Sequence, residues 1–336
     1  MNGIIRSASL TNFAAVARDV GLDPSRMLRQ FGLPARCLDD PDVAVPLDGV
    51  RAMLEAAAEQ SGVEGLGLLM AETRRLSNLG PLGLLVREQP TLRLAVEAFV
   101  NYGRSLNESL LLTIEEAGDV VVLREELVIG HTGAVRQSTE LAIGVGFRML
   151  RQFLGAEWRP RRICFAHDAP RDRTIHERVF GHNVEFGHDF NGIVCSRSDL
   201  ERRNADSDPE LARLARQLLD TESSTRSRGG TTRQVRELVV TLLGTGSCTI
   251  DRTAQHLGVD RRTIHRRLVQ EGQTFSGIVD AVRRELAERY IKDRRALAEV
   301  AVLLGFAGAS GFSHWYRRQY PQRPPARRAR SRPRTG

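Results

Sequence analysis

The sequence predicts an α+β N-terminal domain followed by an all-α domain in which a long helix joins two helix-turn-helix units. Three observations predict this fold class. Residues 1–220 mix helical periodicity with short apolar strand patterns, and the last third carries one helix-turn-helix pattern twice. The charge also divides there: from Thr231 onward, 21 basic and 9 acidic residues leave +12, whereas the remaining 28 basic and 32 acidic residues carry −4. A basic domain behind a nearly neutral one indicates a polyanion-binding half.

The composition fits a folded protein of about two domains. The chain has 336 residues, of which 41% are hydrophobic and 27% are charged, and these are ordinary globular values. No apolar run approaches the ~18 residues that span a bilayer, and the N-terminus has no basic region followed by an apolar block. We therefore expect a cytoplasmic protein without membrane contact. Four singly placed cysteines favour neither a disulfide framework nor a zinc ribbon.

The N-terminal domain, predicted over residues 1–220, opens with helices. In GLDPSRMLRQFGLP, Asp23 is a candidate N-cap and Pro24 a candidate first helical residue. The segment VPLDGVRAMLEAAAEQSG predicts another helix, and LGPLGLLVREQPTLRLAVEAFVNYGRSL predicts two helices broken near Pro90. The apolar face of the VPLDGV helix would carry Val50, Met53, Leu54 and Ala57.

Strands are predicted in the second half of this domain. SLLLTIEEAGDVVVLREELVI reads as a hairpin that turns at Gly118 and Asp119. A long helix follows from about Gly133 to Leu154, and then RRICFAHD and NGIVCS form short strands around a helix, RTIHERVFG. After the helix DPELARLARQLL we expect a linker over 221–230, the second domain over 231–327 and a disordered basic tail over 328–336.

The segment TIDRTAQHLGVDRRTIHRRLVQEG has the pattern of a helix-turn-helix. Gly258 stands where the chain turns, at a position that favours positive φ. Asp260 is a good N-cap for the second helix, in which Ile264 and Leu268 would point inward. The inner face of the short first helix would carry Ile250, Ala254 and Leu257.

The outward face of that second helix predicts DNA contact. It carries Arg262, His265, Arg266 and Val269, with Arg261 at its N-terminal end. A recognition helix needs donors on its groove side, both for phosphates and for guanine edges. Charge alone would equally fit a solvated basic helix, so the prediction depends on the turn pattern and on its repetition.

A second copy follows in ALAEVAVLLGFAGASGFSHWYRRQY. Gly305 would end its first helix, the second helix would begin near Ser310, and Trp315 and Tyr316 are interpreted as core or cap residues. The inward residues of the first helix would be Leu297, Val300 and Ala301. Between the copies, TFSGIVDAVRRELAERYIKD predicts one helix of about 19 residues, or nearly 30 Å at ~1.5 Å per residue. It could hold two recognition helices about one DNA turn, ~34 Å, apart.

These two motifs, from about Arg233 to Arg327, resemble the DNA-binding domain of the AraC/XylS family of bacterial transcriptional regulators. From about Ile5 to Leu219 the chain resembles the arabinose-binding-type N-terminal domain of the subfamily with ornithine- and arginine-linked regulators. The segments that carry this second resemblance are LGPLGLLVREQPTL, RQSTELAI, WRPRRICFAHDAP and FGHNVEFGHDFNGIVCSRSDL. One departure is Pro321, which stands where the family usually has glycine.

The resemblance implies site residues in both units. Base contacts would fall on Arg262, His265 and Arg266 in the first unit, while Arg261 would hold phosphate. In the second unit they would fall on Ala309, Ser310, Ser313 and His314, with Arg317 and Arg318 better suited to phosphate contact or packing. We expect the first unit to dominate base reading, because the second offers small side chains or weak donors.

The resemblance also implies a function: a regulator, usually an activator in this family, in which the N-terminal domain binds an effector and dimerises. The expected partners are double-stranded promoter DNA, an unidentified small-molecule effector, RNA polymerase and a second copy of the chain. The sequence does not identify the effector-binding residues. We expect no cofactor.

Two other function classes stay open. One is a metal-dependent enzyme domain tethered to DNA, and the other is a DNA binder that needs no effector. The first would draw on His167, His176, His182 and His188, near Cys164 and Cys195. Histidine spacings of six or more place no two of these ligands on one helix face. There is no GxSxG elbow or P-loop, so we expect neither a catalytic nor a metal site.

Overall fold

The computed structural model describes residues 4–103, 106–107, 110–127, 135–226, 230–243, 248–257, 259–292 and 295–320. The chain divides into two compact units, Met1–Arg226 and Ser227–Gly336. The predicted turn at Gly258, the departure at Pro321 and the disordered tail over 328–336 lie outside the described residues. Among the described helices, none combines the length and the apolar character that crossing a bilayer requires.

The first unit contains the helices that the sequence predicts. The break near Pro90 separates the fifth helix from the sixth, and the helix expected from about Gly133 begins at Arg136. The bounds are α1 Phe13–Asp19, α2 Pro24–Gln30, α3 Leu47–Ser61, α4 Leu66–Glu72, α5 Pro81–Arg87, α6 Leu92–Tyr102, α7 Arg136–Leu154, α8 Thr174–Phe180, α9 Arg197–Leu200 and α10 Pro209–Arg226.

Local sequence explains how these helices begin. The Asp23 carboxylate accepts hydrogen bonds from the backbone N–H groups of Ser25 at 2.8 Å and Arg26 at 3.2 Å. Pro24 is the first residue of α2, where its missing N–H costs no helical hydrogen bond. Both predictions for this helix start are confirmed. The predicted apolar face of α3 is also buried, with Met53 and Ala57 both 0% exposed.

A five-stranded sheet completes the first unit. Its strands are β3 Leu110–Ala117, β4 Val120–Leu127, β5 Arg162–Cys164, β6 Val184–Glu185 and β7 Asn191–Ser196. Their order in the sheet is β3-β4-β7-β5-β6, and all neighbours are antiparallel except β5 and β6. The predicted hairpin is present as β3 and β4, with Gly118 at φ 62° in its turn. A separate pair, β1 Ile4–Arg6 and β2 Ala44–Pro46, is antiparallel. The short strands β1, β2 and β6 were not predicted.

Helices α4 and α7 pack closely against each other in this unit. A Cβ atom built on Gly67 would lie 2.1 Å from the carbonyl oxygen of Gln137, and one on Gly144 would lie 2.5 Å from the Cβ of Ala71. Such distances exclude a side chain at either glycine. Helix α4 therefore begins within the GLGLL stretch at residues 65–69, and Gly67 in this stretch permits the close packing of α4 against α7.

The predicted linker differs from the structure in one respect. Helix α10 continues to Arg226, so residues 221–226 of the segment expected as a linker over 221–230 are helical. A serine- and threonine-rich stretch has weak helix propensity, but a helix already formed upstream can extend into it, since each added residue needs no new nucleus. The division of the chain into compact units falls directly after this helix.

The described part of the second unit is helical. Its bounds are α11 Gly230–Leu243, α12 Ile250–His256, α13 Arg261–Gln270, α14 Phe275–Lys292, α15 Leu297–Leu303 and α16 Ala309–Gln319. Two buried clusters divide it: one includes Ile264, Leu268 and Ile278, and the other includes Val300, Phe312 and Trp315. A mixed unit followed by a helical unit with two helix-turn-helix motifs confirms the predicted fold class.

Candidate nucleic-acid interface

The first helix-turn-helix motif is formed by α12 and α13. Asp260 caps α13: its carboxylate accepts the N–H of Thr263 at 2.7 Å and the hydroxyl of the same residue at 2.9 Å. Both hydrogen bonds lower the pKa of Asp260, and the bond from the Thr263 backbone N–H has the larger effect. Ile264 and Leu268 are 0% and 1% exposed, as predicted. The helix is therefore held at its start and along its inner face.

Most of the outer face of α13 lacks internal partners within the part of the chain that the structure describes. Arg262, His265 and Arg266 are exposed, and within the described residues no hydrogen bond or ion pair engages their side chains. Arg261 is also exposed and lies 3.5 Å from Asp251, a surface contact that contributes little to stability. The structure thus brings the four predicted residues of this unit together on one solvent-facing surface, called here the α13 face.

The second motif is formed by α15 and α16. Gly305, at φ 70°, follows α15 as predicted; its N–H bonds the carbonyl of Val302 at 2.9 Å. The α16 helix begins at Ala309, one residue before the approximate start that the sequence indicated. Of its predicted contact residues, those that are exposed are Ala309, Ser310, His314 and Arg317.

The second motif offers fewer free donors than the first. Ser313 is half-buried, and its hydroxyl donates back to the carbonyl of Ala309 at 2.8 Å. Arg318 lies 3.6 Å from the Asp280 carboxylate, which leaves Arg317 as the exposed arginine of α16 without such a pair in the described part of the chain. The expectation that the first unit dominates base reading depends on this difference in available donors and stays a prediction.

Aromatic packing seats α16 on the connecting helix. Trp315 and Tyr316 are 5% and 8% exposed, which confirms their interpretation as core residues. The Trp315 ring packs against Phe306 and Phe312, with centroids 5.6 and 6.1 Å away. Its indole N–H donates to the Asp280 carboxylate of α14 at 2.9 Å. A buried tryptophan with a satisfied N–H is a structural anchor.

The connecting helix α14 has 18 residues, about 27 Å at ~1.5 Å per residue. Arg283 on α14 donates to the carbonyl of Leu304 at 3.1 Å, and its guanidinium stands 4.3 Å from the centroid of the Phe306 ring. Together with Asp280, this arginine fixes α14 to the second motif by polar contacts. Sequence reasoning missed both residues, because their partners are distant along the chain.

Glu271, directly after α13, was also missed. Its two carboxylate oxygens accept the backbone N–H groups of Thr231 and Thr232, each at 2.7 Å. Hydrogen bonding by Thr232, followed by that of Thr231, lowers the pKa of Glu271. The end of the recognition helix is thereby joined to the first turn of α11, where a negative group suits the helix dipole. The sequence shows a glutamate directly after the predicted second helix of the first motif. It does not show that this glutamate caps the start of another helix, α11.

The four histidines considered as metal ligands, His167, His176, His182 and His188, do not form one cluster. Glu140, 0% exposed, lies 2.9 Å from His176 and 3.4 Å from His167, and its carboxylate also accepts from Arg136 at 2.9 Å. His182 is exposed. A buried carboxylate with such partners forms a polar network inside the fold.

His188 has different neighbours. The candidate ligand atoms of Cys164, Glu185 and His188 lie within 4.8 Å of one another. Glu185 also forms an ion pair with Arg162 at 2.9 Å, and burial raises the pKa of the Cys164 thiol to about 11. A metal at this position would have to ionise that thiol and compete with the arginine. Cys195 is buried outside this group, and burial raises its pKa to about 12.

Comparisons with known proteins agree with this architecture. Residues 21–204, more than half of the chain, match the family described as the arabinose-binding domain of AraC transcription regulator, N-terminal, and residues 253–330 match a helix-turn-helix domain. The chain is 28% identical over 332 residues to the HTH-type transcriptional regulator VirS of Mycobacterium tuberculosis, covering 98% of this chain and 97% of that protein.

Two further similarities come from Pseudomonas aeruginosa. The chain is 24% identical over 285 residues to the Ornithine utilization regulator, covering 84% of this chain and 83% of that protein. Among solved structures, the transcriptional regulator CdpR is 23% identical with a TM-score of 0.42, covering 89% of this chain and 94% of that one.

Proposed function

The chain belongs to the AraC family of transcription regulators, with an arabinose-binding-type N-terminal domain and a C-terminal helix-turn-helix domain, and from this premise we propose that it activates promoters in response to a small effector. It is a DNA-binding transcriptional regulator of this type. Its domains and relatives indicate a regulator rather than an enzyme.

The α13 face is the observation that carries the proposal. Three of its four side chains, those of Arg262, His265 and Arg266, have no internal partner among the described residues. Its helix is capped at Asp260, and it belongs to a region of net charge +12. We propose that Arg262, His265 and Arg266 contact base edges and that Arg261 holds phosphate. In the second motif we propose contacts from Ala309, Ser310, Ser313, His314 and Arg317.

Effector control is supported by the first unit. It contains a cavity of about 170 Å³ with largely apolar walls, and such cavities are the usual ligand sites of proteins. An effector that binds one arrangement of the regulator more tightly than another shifts the population toward it. RNA polymerase enters the proposal as the partner of an activator, from the family resemblance.

The proposal is tested by selecting DNA from a random-sequence pool with the full-length protein. We expect one preferred operator, bound with an affinity that falls steeply with salt because phosphate contacts release counterions. A fragment of residues 227–330 should keep that preference, and a promoter beside the operator should gain activity. Lack of any preferred sequence would contradict the proposal, while a loss of promoter activity would make the protein a repressor.

Helix α10 supports the proposed homodimer. Leu211, Leu214 and Leu218 are 36%, 46% and 54% exposed, and their spacing of three and four residues forms one apolar stripe. The adjacent side of α10, with Ala215 and Leu219, is buried in the unit's own core. If a second copy of the chain packed its α10 stripe against this one, the stripes of both copies would be buried.

We expect the double substitution Leu214→Glu and Leu218→Glu to convert the dimer to monomer, because four carboxylates would face one another across the stripe. Analytical ultracentrifugation of the full-length protein measures this change. The matched control is Leu94→Glu, since Leu94 is another exposed leucine of this unit, 40% exposed on α6. A wild-type protein that sediments as a monomer, or a double variant that stays dimeric, would rule out this interface.

A further inference from the structure

The cavity in the first unit has a defined size and wall chemistry. It holds about 170 Å³, and its walls come from α3, α6, α7 and the five-stranded sheet, for example Leu54, Phe99, Met149 and Leu112. In an engineered protein, an apolar cavity of ~150 Å³ binds benzene. This cavity therefore has room for a molecule of about the size of a singly substituted benzene.

One side chain in this lining breaks the apolar pattern of its strand. Side chains alternate along β4, so Val121, Leu123 and Glu125 share a face of the sheet. Val121 is 0% exposed and Glu125 is 3% exposed, and Leu112 lies directly opposite Glu125 on β3. A carboxyl group thus occupies an inward position that folding alone would give to an apolar residue.

In the described part of the chain, no hydrogen bond reaches the buried Oε1 atom of Glu125. Burial raises the pKa of Glu125 well above its ordinary value, because the carboxylate loses its hydration. Buried polar groups are nearly always hydrogen-bonded, and one that is not calls for an explanation such as a ligand.

The cations of the lining are already engaged. The Arg74 guanidinium donates to the carbonyl oxygens of Ala8 and Ser9. Burial lowers the pKa of Arg51, and the nearby Asp48 partly opposes this effect. A ligand carboxylate would compete with the Ala8 and Ser9 carbonyl oxygens for the Arg74 guanidinium, whereas a ligand donor would meet a Glu125 oxygen that no hydrogen bond reaches in the described part of the chain.

We propose that this cavity is the effector site and that the effector is a small apolar molecule which presents one N–H or O–H donor to the Glu125 carboxyl group. This inference rests on the proposed effector control and specifies its ligand. The apolar body would fill the space between the helices and the sheet, while the donor would satisfy the buried oxygen. Glu125 acts here as the residue that sets specificity.

Four probes of similar size test the inference on the full-length protein. Benzylamine and benzyl alcohol carry a donor, toluene carries none, and benzoate carries a carboxylate. We expect one of the two donor probes to bind most tightly in calorimetry and to raise Tm most, since a ligand that binds only the folded state stabilises it. Which of the two wins distinguishes a cationic donor from a neutral one.

Variants of the lining residues test the hydrogen bond to Glu125 and the cavity volume separately. Glu125→Leu should lower the affinity for the tighter-binding donor probe by about tenfold, which corresponds to one lost hydrogen bond. The affinity for toluene should stay the same or rise. Ala142→Phe, which puts a ring into the cavity from α7, should abolish binding of every probe. Glu115→Gln, an exposed position of the same hairpin, is the control and should change nothing. Glu125→Met, which also removes the carboxyl oxygens and is close to glutamate in length, replaces Glu125→Leu if the latter fails to fold.

The outcomes distinguish this inference from the function on which it rests. Tightest binding by toluene or benzoate, equal affinity in Glu125→Leu, or no binding by any probe would overturn the inference while leaving DNA binding untouched. If the probes bind as expected but do not change operator affinity or promoter activity, the proposed ligand site is confirmed. The proposal that a ligand at this site controls DNA binding is then wrong. Loss of operator preference by the wild-type protein would refute the regulator proposal alone.

Discussion

Arg266→Ala is expected to weaken binding to the selected operator by ~1–3 kcal/mol, which is about five- to 150-fold, and to relax sequence preference at one base pair. Arg266 projects from the α13 face, and no described residue pairs with it, so its guanidinium is available for two hydrogen bonds to one guanine edge. Truncation removes these bonds and leaves the guanine acceptors unpaired. Fluorescence anisotropy with the operator and with single-base variants measures both effects.

Arg261→Ala is the matched comparison for this prediction. It removes an equal charge from the start of the same helix, where a phosphate contact is proposed. We expect it to weaken specific and random DNA alike and to reduce the salt slope by about one unit. If Arg266→Ala behaves in the same way as Arg261→Ala, then Arg266 contacts phosphate only and the proposed base-reading role is wrong.

Ile264→Ala is expected to destabilise the second unit by ~2–5 kcal/mol, because it removes a fully buried side chain from a packed core. This is a large share of the ~5–15 kcal/mol that stabilises a typical domain. Urea unfolding of the 227–330 fragment should show a lower midpoint at an unchanged slope. Operator binding should fall with the folded fraction, although the residue itself reaches no DNA.

Val269→Ala provides the control for stability. Val269 lies on the same helix but is 55% exposed, so its truncation should change stability by no more than about 0.5 kcal/mol. If Ile264→Ala lowers the free energy of unfolding by less than about 1 kcal/mol, the inner face of α13 does not pack into the core as described. The proposal that its outer face contacts DNA would then be wrong as well.

Periodicity predicted the helices and strands on which both predictions depend. The spacing of Ile264 and Leu268 determined which side of α13 is buried, and Asp260 determined where the helix starts. Both are local features: a cap acts over three residues and a helical face repeats every 3.6. The same locality explains why Asp23, Pro24 and the hairpin turn at Gly118 were predicted correctly.

Contacts between distant segments were beyond such reasoning. Glu271 is 40 residues from Thr231, and Asp280 is 35 residues from Trp315. No period or spacing relates these positions, because the chain path between them is set by packing. The helical character of residues 221–226 was missed for a related reason, since a preceding helix outweighed the weak propensity of that stretch.

The sequence by itself determined the fold class, the division of charge and the register of the recognition helix, because each is encoded in residues close along the chain. Only the tertiary structure decided that, among the described residues, Arg262, His265 and Arg266 have no internal partners while Ser313 and Arg318 do. It also decided that Glu125 faces an apolar cavity. In both cases the physical reason is that the solvation and partners of a side chain depend on distant segments brought near it by folding, and one strand or helix does not contain that information.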